Sequence, residues 1–226
     1  MLCLHTFTIK TKKHFMYFLS RELYFPPLRH ASPEGIVAIG GDLSPERLML
    51  AYRSGIFPWF EDDEPILWWS PPERMVLLFT ELKVSKSMRN ILNRNMFTVT
   101  FNTAFADVIA NCRDIKREGQ PGTWITNDMT RAYCKLHELG HAKSVEVWMD
   151  GQLVGGLYGI DLGHIFCGES MFSKVPNASK VAFIALAKKL EEENYRLLDC
   201  QVHNSHLESL GAREIFREDF LEILTS

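Results

Sequence analysis

Residues 144–172 read SVEVWMDGQLVGGLYGIDLGHIFCGESMF, and their period decides the fold. Three strand candidates, 144–149, 152–160 and 164–172, are separated by Asp150-Gly151 and by Asp161-Leu162-Gly163. Turns of that chemistry between β-branched and aromatic runs predict an antiparallel meander. Downstream, Phe183, Leu186, Ala187 and Leu190 fall on one face of a long helix spanning about 178–193, with Asn177 at its N-cap. The strand RLLDCQV (196–202) follows. Ser205 and Glu208 then have the spacing of a capping box for a short helix that ends at Gly211. A last strand or short helix closes the chain. A meander followed by helix, strand, helix and strand belongs to the α+β class.

Upstream, Ser44, Pro45 and Gly55 are the start and stop signals of a helix carrying Leu48, Ala51 and Tyr52 on one face. Residues 1–30 show no clear period. The segment GIFPWFEDDEPILWWSPPER (55–74) is rich in aromatics and proline, and fits neither a helix nor a long strand. A boundary is placed near 75, between a small N-terminal domain (1–75) that carries this aromatic loop and a larger domain (76–226). In the latter, MVLLF (75–79) and FTVTF (97–101) read as strands. Three helices are expected: one capped by Ser85, with Met88, Ile91 and Leu92 inward; one through Phe105, Val108, Ile109 and Cys112; and one from about 127 through Met129, Ala132, Tyr133 and Leu136.

The 226 residues carry 25 Lys and Arg against 28 Asp and Glu, a net charge of −3, and 46% are hydrophobic. That balance suits a soluble globular protein and lacks the basic excess of one that coats duplex nucleic acid, so DNA is not an expected partner. It leaves room for a protein that grips one end of an RNA. The five cysteines are odd in number and widely spaced, which reads as reduced thiols in a cytoplasmic protein. No apolar run approaches membrane-spanning length, and Lys10, Lys12, Lys13 and His14 interrupt the N-terminus, so neither a span nor a signal peptide is expected.

His137-Glu138-Leu139-Gly140-His141 matches H-E-x-x-H, the pattern of a helical zinc site. Gly140 is a helix-ending residue, and a strand starts about four residues later. His141 is therefore expected beyond the helix, and no metal is expected. Trp59, Phe60, Trp68, Trp69 and Trp124 either form a small core or stack on a nucleobase, and Trp59, between proline and an acidic turn, suits stacking. Glu169 and Asp199 are carboxylates set in apolar strands, so each must be hydrogen-bonded or line a wet pocket. Asp199 and Gln201, two apart on a strand, are expected on one face, either as structural polar groups or as a pair that orients and deprotonates an amine. Lys86 and Arg89, with Arg94 just after them, form a modest basic patch that is either a solvated face or a phosphate contact.

The runs IVAIGGDLSPERLMLAYRSGIFPWF, PILWWSP, GTWIT, LHELGHAKSVEVW, LVGGLYGI, FCGESMFS, NASK and LDCQV, in this order from about 34 to 217, closely resemble the bacterial leucyl/phenylalanyl-tRNA–protein transferases. HELGH belongs to that pattern. The resemblance implies a small N-terminal domain followed by one like the acetyl-CoA-dependent N-acetyltransferases. The acetyltransferases' phosphate-gripping glycine loop is missing, so no coenzyme A is expected, and an ester substrate already activated needs no other cofactor. The implied reaction moves Leu or Phe, and Met more weakly, from the 3′ end of aminoacyl-tRNA to the N-terminal Arg or Lys of an acceptor protein, marking it for N-end-rule degradation. Trp59 and Trp124 would hold the terminal adenosine. Leu157, Phe166, Glu169, Met171, Phe183, Leu186 and Leu198 would line the side-chain pocket. Asp199 and Gln201, with Glu169, would serve catalysis, and Lys86, Arg89 and Arg94 would touch the tRNA backbone. A small-molecule or peptidoglycan-type N-acyltransferase, and a non-catalytic RNA-end binder, remain the alternatives.

Overall fold

The computed structural model describes residues 16–62, 64–115 and 124–226. In chain order its elements are β1 (Phe18–Leu19), β2 (Ile36–Gly40), α1 (Pro45–Arg53), β3 (Phe57–Pro58), β4 (Leu67–Trp69), β5 (Glu73–Leu77) and α2 (Lys86–Asn93). They continue with β6 (Thr98–Phe101), α3 (Phe105–Asp114), α4 (Asn127–Glu138), β7 (Ala142–Met149), β8 (Gln152–Asp161) and β9 (Ile165–Ser173). The chain closes with α5 (Ala178–Glu192), β10 (Leu197–Gln201), α6 (Ser205–Glu208), β11 (Arg213–Phe216) and α7 (Arg217–Thr225). The α+β class and every helix expected within the described residues are present.

Two sheets organise these elements. β1, β2, β4 and β3 form a small four-stranded sheet, and β11, β5, β10, β9, β8, β7 and β6 form a seven-stranded one in that order. The expected meander is β7–β8–β9, paired antiparallel throughout. β9 and β10 run parallel, with α5 as their crossover. The expected boundary at 75 falls inside β5, because Glu73, Arg74 and Met75 already pair with β11. The sheets change instead over Ser70–Pro72. One continuous core nevertheless joins them: Val37, Tyr52 and Trp68 from the first part pack with Tyr133, Tyr158 and Phe172 from the second. A second core lies on the other face of the large sheet, where Phe183, Leu186 and Leu190 of α5 meet Leu157, Phe166 and Leu198. Helices on both faces leave the ends of the parallel pair as the place where the sheet can open.

Local signals explain most element ends. The Ser44 hydroxyl accepts from Arg47 N, Ser85 from Met88 N and Thr126 from Met129 N, so each helix starts on a side chain that satisfies an orphan donor. Two caps differ from expectation. Asn177 sits at φ +70° with no side-chain cap bond, and Asn204 rather than Ser205 caps α6, its Oδ1 accepting from both His206 N and Leu207 N. Asn204 reaches two donors at once, which the single hydroxyl one residue later has no need to repeat.

The H-E-x-x-H run ends its helix as its glycine foretold. α4 stops at Glu138, Gly140 takes φ +85°, and His141 N closes the end by donating to Leu136 O at 2.8 Å. His137 stacks on Phe105 with centroids 4.3 Å apart, and its Nδ1 bonds Ala142 O at 2.8 Å. The two histidines therefore do not share a helical face, and the His137 ring already has structural partners.

Candidate active site

The register of β9 and β10 creates the site. β10 pairs with β9 only at Leu197, Leu198 and Asp199. Beyond that point each strand is irregular. In β9, Tyr158 faces Ser170 while Gly159 faces Gly168, so Glu169 is an extra residue bulged out of the ladder. In β10 the register against β5 shifts between Asp199 and Gln201, and Gln201 adopts φ +65°, a left-handed conformation uncommon for a residue with a side chain. Two bulges on neighbouring strands part the sheet and aim Glu169 and Gln201 into the gap.

The gap opens into a cavity of about 310 Å³. Its lining includes the apolar Leu157, Met171, Phe183, Leu186 and Leu198, the polar Glu169 and Gln201, and the aromatic Trp59 and Trp124. Nine of the residues expected at the substrate thus meet in one place. Trp59 is 41% exposed, so its ring is available to a ligand, although it also tilts against Trp69 at a centroid distance of 5.8 Å.

Phe166 is a correction. It is buried and does not line the cavity, because its ring fills the space left by Gly159: a Cβ there would lie 2.4 Å from the Phe166 ring. Asp199 is a second. It was expected to share a face with Gln201 and to meet the amine, but it lies on the opposite face, fully buried and outside the cavity lining. Its Oδ1 accepts from Arg74 Nε at 2.8 Å and its Oδ2 from Arg74 Nη2 at 2.7 Å. The shift and the left-handed turn at Gln201 break the period-two rule that placed them together. Lys86, Arg89 and Arg94 are exposed on and just after α2, and none lines the cavity.

Glu169 is the centre of a polar cluster. Tyr52 Oη donates to its Oε1 at 2.7 Å, Tyr133 Oη to its Oε2 at 3.0 Å, and Gln201 Nε2 to its Oε1 at 2.7 Å. The two tyrosine hydroxyls also touch each other. Desolvation dominates over these three donors and raises the Glu169 carboxyl from its ordinary 4.5 to about 7. Burial, then the Glu169 charge, pushes both tyrosines well up, so they stay neutral donors. Cys200, at the cavity edge, is likewise pushed up by burial and then by Asp199, so it is no ready nucleophile.

Sequence reading missed Tyr52, Tyr133 and Arg74. Each sits at a regular core position of α1, α4 or β5, and apolar periodicity treats a tyrosine there as packing. The one legible hint was the Asp199 carboxylate in an apolar strand, which requires a partner, but only the fold brings residue 74 to it.

Comparison with known proteins gives the family of the chain. Residues 76–225 match the family described as leucyl/phenylalanyl-tRNA protein transferase, and residues 41–72 match that family's N-terminal domain. A leucyl/phenylalanyl-tRNA–protein transferase of Flavobacterium johnsoniae is 69% identical over 211 residues, spanning 93% of this chain and 100% of that one. One from Syntrophobacter fumaroxidans is 54% identical over 206 residues, 91% of this chain and 88% of that one. Among solved structures, a GCN5-related N-acetyltransferase from Kribbella flavida is 11% identical with a TM-score of 0.39 over 75% of this chain and 60% of that one. That likeness is too slight to carry an argument, and the fold rests on the strand pairing above. The chain belongs to the leucyl/phenylalanyl-tRNA–protein transferase family and is a transferase.

Proposed function

We propose that the protein transfers the aminoacyl group of aminoacyl-tRNA, leucine or phenylalanine and more weakly methionine, to the α-amino group of an acceptor protein starting with Arg or Lys. The observation that carries this reading is one cavity lined by apolar side chains, a carboxyl–amide pair and the part-exposed Trp59 together. The 3′-terminal adenosine stacks on Trp59 and Trp124, and the aminoacyl side chain enters between Leu157, Met171, Phe183, Leu186 and Leu198. Such a pocket separates side chains by about 1–3 kcal/mol per methylene, which admits Met as a weaker substrate.

The acceptor amine, with an ordinary pKa of about 7.7–8.0, is partly neutral near neutral pH. It attacks the ester carbonyl, an amide bond forms, and the adenosine hydroxyl leaves with a proton. Gln201 donates through Nε2 to Glu169, so its Oε1 is the amide atom that can accept from the amine. Glu169, poised near pH 7, takes the proton the amine loses and passes it to the adenosine oxygen as the ester C–O bond breaks. Asp199 acts one layer behind. Lys86, Arg89 and Arg94 follow the tRNA backbone outside the cavity. The product marks its acceptor for N-end-rule degradation, in the cytoplasm.

The test is transfer of radiolabelled leucine from charged tRNA to one protein displaying N-terminal Arg, Lys or Ala. Label on the Arg and Lys forms alone is expected. Equal label on the Ala form removes the acceptor rule, and no label on any form removes the function. A Gln201→Gly variant as active as wild type removes Gln201 from the reaction.

A further inference from the structure

Arg74 is a fully buried arginine on β5 whose surroundings hold it on every side. Its guanidinium carbon lies 4.7 Å from the centre of the Phe57 ring and 4.6 Å from that of Phe220. Its Nη1 donates to Gly55 O at 3.3 Å, and its Nε and Nη2 grip both oxygens of Asp199. Three parts of the chain thus fix one planar group: the turn after α1 with the start of the aromatic loop, the C-terminal helix α7, and β10. An arginine so stacked and forked has one orientation available, which a lysine ammonium would not have.

What Arg74 holds is linked to the cavity by one further bond. Asp199 Oδ1 also accepts from Gln201 N at 2.9 Å. That N–H belongs to the residue at φ +65°, whose left-handed backbone turns its side chain off the Asp199 face and towards Glu169. A non-glycine residue in that region is strained and persists only where its surroundings over-determine it. Here the determining contact is a carboxylate oxygen that Arg74 pins in place.

We propose that Arg74 is a positioning residue for the transfer reaction, holding Gln201 in its left-handed conformation through Asp199. This rests on the placement of Gln201 at the acceptor amine under the proposed function. Arg74 touches no substrate. It lies on the far side of β10 from the apolar pocket and outside the cavity lining, so its loss acts on the reacting geometry and leaves aminoacyl-tRNA binding in place.

The test compares wild type, Arg74→Lys, Phe220→Leu, Gln201→Gly and the two double variants containing Gln201→Gly. Steady-state transfer to an Arg-starting protein is followed, with melting curves showing each protein folded at the assay temperature. Glycine at 201 suits the left-handed backbone while deleting the side chain. Arg74→Lys is expected to lower kcat by up to about 10²-fold with KM for aminoacyl-tRNA unchanged, the scale for misplacing a group by about 1 Å. Phe220→Leu loosens the stack without touching charge and is expected to lower kcat in the same direction, by less. In the Gln201→Gly background neither change should lower kcat further, since both act through that side chain. Losses that multiply with Gln201→Gly, a rise in KM alone, or full activity of Arg74→Lys would each overturn the proposal. If Arg74→Lys fails to fold, the Phe220→Leu pair decides by the same criterion. Transfer absent from the wild-type chain would sink the function itself, whereas active wild type with multiplying losses overturns only the role of Arg74.

Discussion

Gln201 Nε2 donates to Glu169 Oε1 at 2.7 Å across the opening between β10 and β9. Both residues stand at irregularities of their strands, one at a bulge and one at a left-handed turn. The register that sets Asp199 beside Cys167 would, if continued, place Gln201 opposite Glu169, but the strands pair only at Leu197, Leu198 and Asp199, and beyond that point the two side chains meet across the gap. Under the proposed function, the contact joins the group that meets the amine to the group that takes its proton.

Glu169 makes stability depend on pH in a definite direction. Its carboxyl, raised from 4.5 to about 7, binds a proton in the folded state that the unfolded chain has released. Its stabilising effect is therefore fully present below about pH 4.5 and is lost as pH rises through about 7. Up to about 3 kcal/mol is involved. Glu169→Gln is expected to flatten this part of a pH series of urea midpoints.

The same variant should alter the pH–rate profile. Transfer by the wild type is expected to rise with pH through about 7 as Glu169 ionises, and Glu169→Gln to lose about 10²–10⁴-fold above that point. An undiminished rate in Glu169→Gln would assign the proton to another group, such as the adenosine 2′-hydroxyl.

Asp199→Asn should cost stability as well as rate. It replaces the partner of a buried arginine whose side chain is 2% exposed, and breaking such a pair costs about 3–5 kcal/mol. A lowered melting temperature with a rate that higher pH does not restore is expected. Rescue at high pH with an unchanged melt would mean that Asp199 is the base itself.

Trp59→Ala is expected to weaken aminoacyl-tRNA binding by about 1–3 kcal/mol while leaving the melt nearly unchanged. The ring is part-exposed, and the bond it helps frame, Trp69 Nε1 to Trp59 O at 2.8 Å, uses the backbone and survives truncation. Early melting with normal binding would make Trp59 a core residue.

Exhaustive chelation should leave transfer intact, and so should His141→Ala, since His141 lies past the end of α4. Elemental analysis finding one tightly held zinc per chain, with activity lost on its removal, would refute this.

Periodicity and punctuation in the sequence were sufficient for the helices they marked, the meander, the class of the fold and the end of α4 just before Gly140. Those features follow from bonds between near neighbours: a cap reaches three residues and a hairpin turn two. The residues that the family motifs single out, Trp59, Trp124, Glu169, Gln201 and most of the apolar wall, line one cavity. Only the tertiary structure decided which carboxylate lines the cavity. The alternation of a strand places Asp199 with Gln201, and a single register shift, invisible in residue types, reverses that. It likewise took the packed chain to set Arg74 beside Asp199 and Tyr52 beside Tyr133, because pairs separated by 125 and 81 residues are joined by no local rule. A buried charge needs its partner wherever the fold can bring one, and the chain's own order does not say where that is.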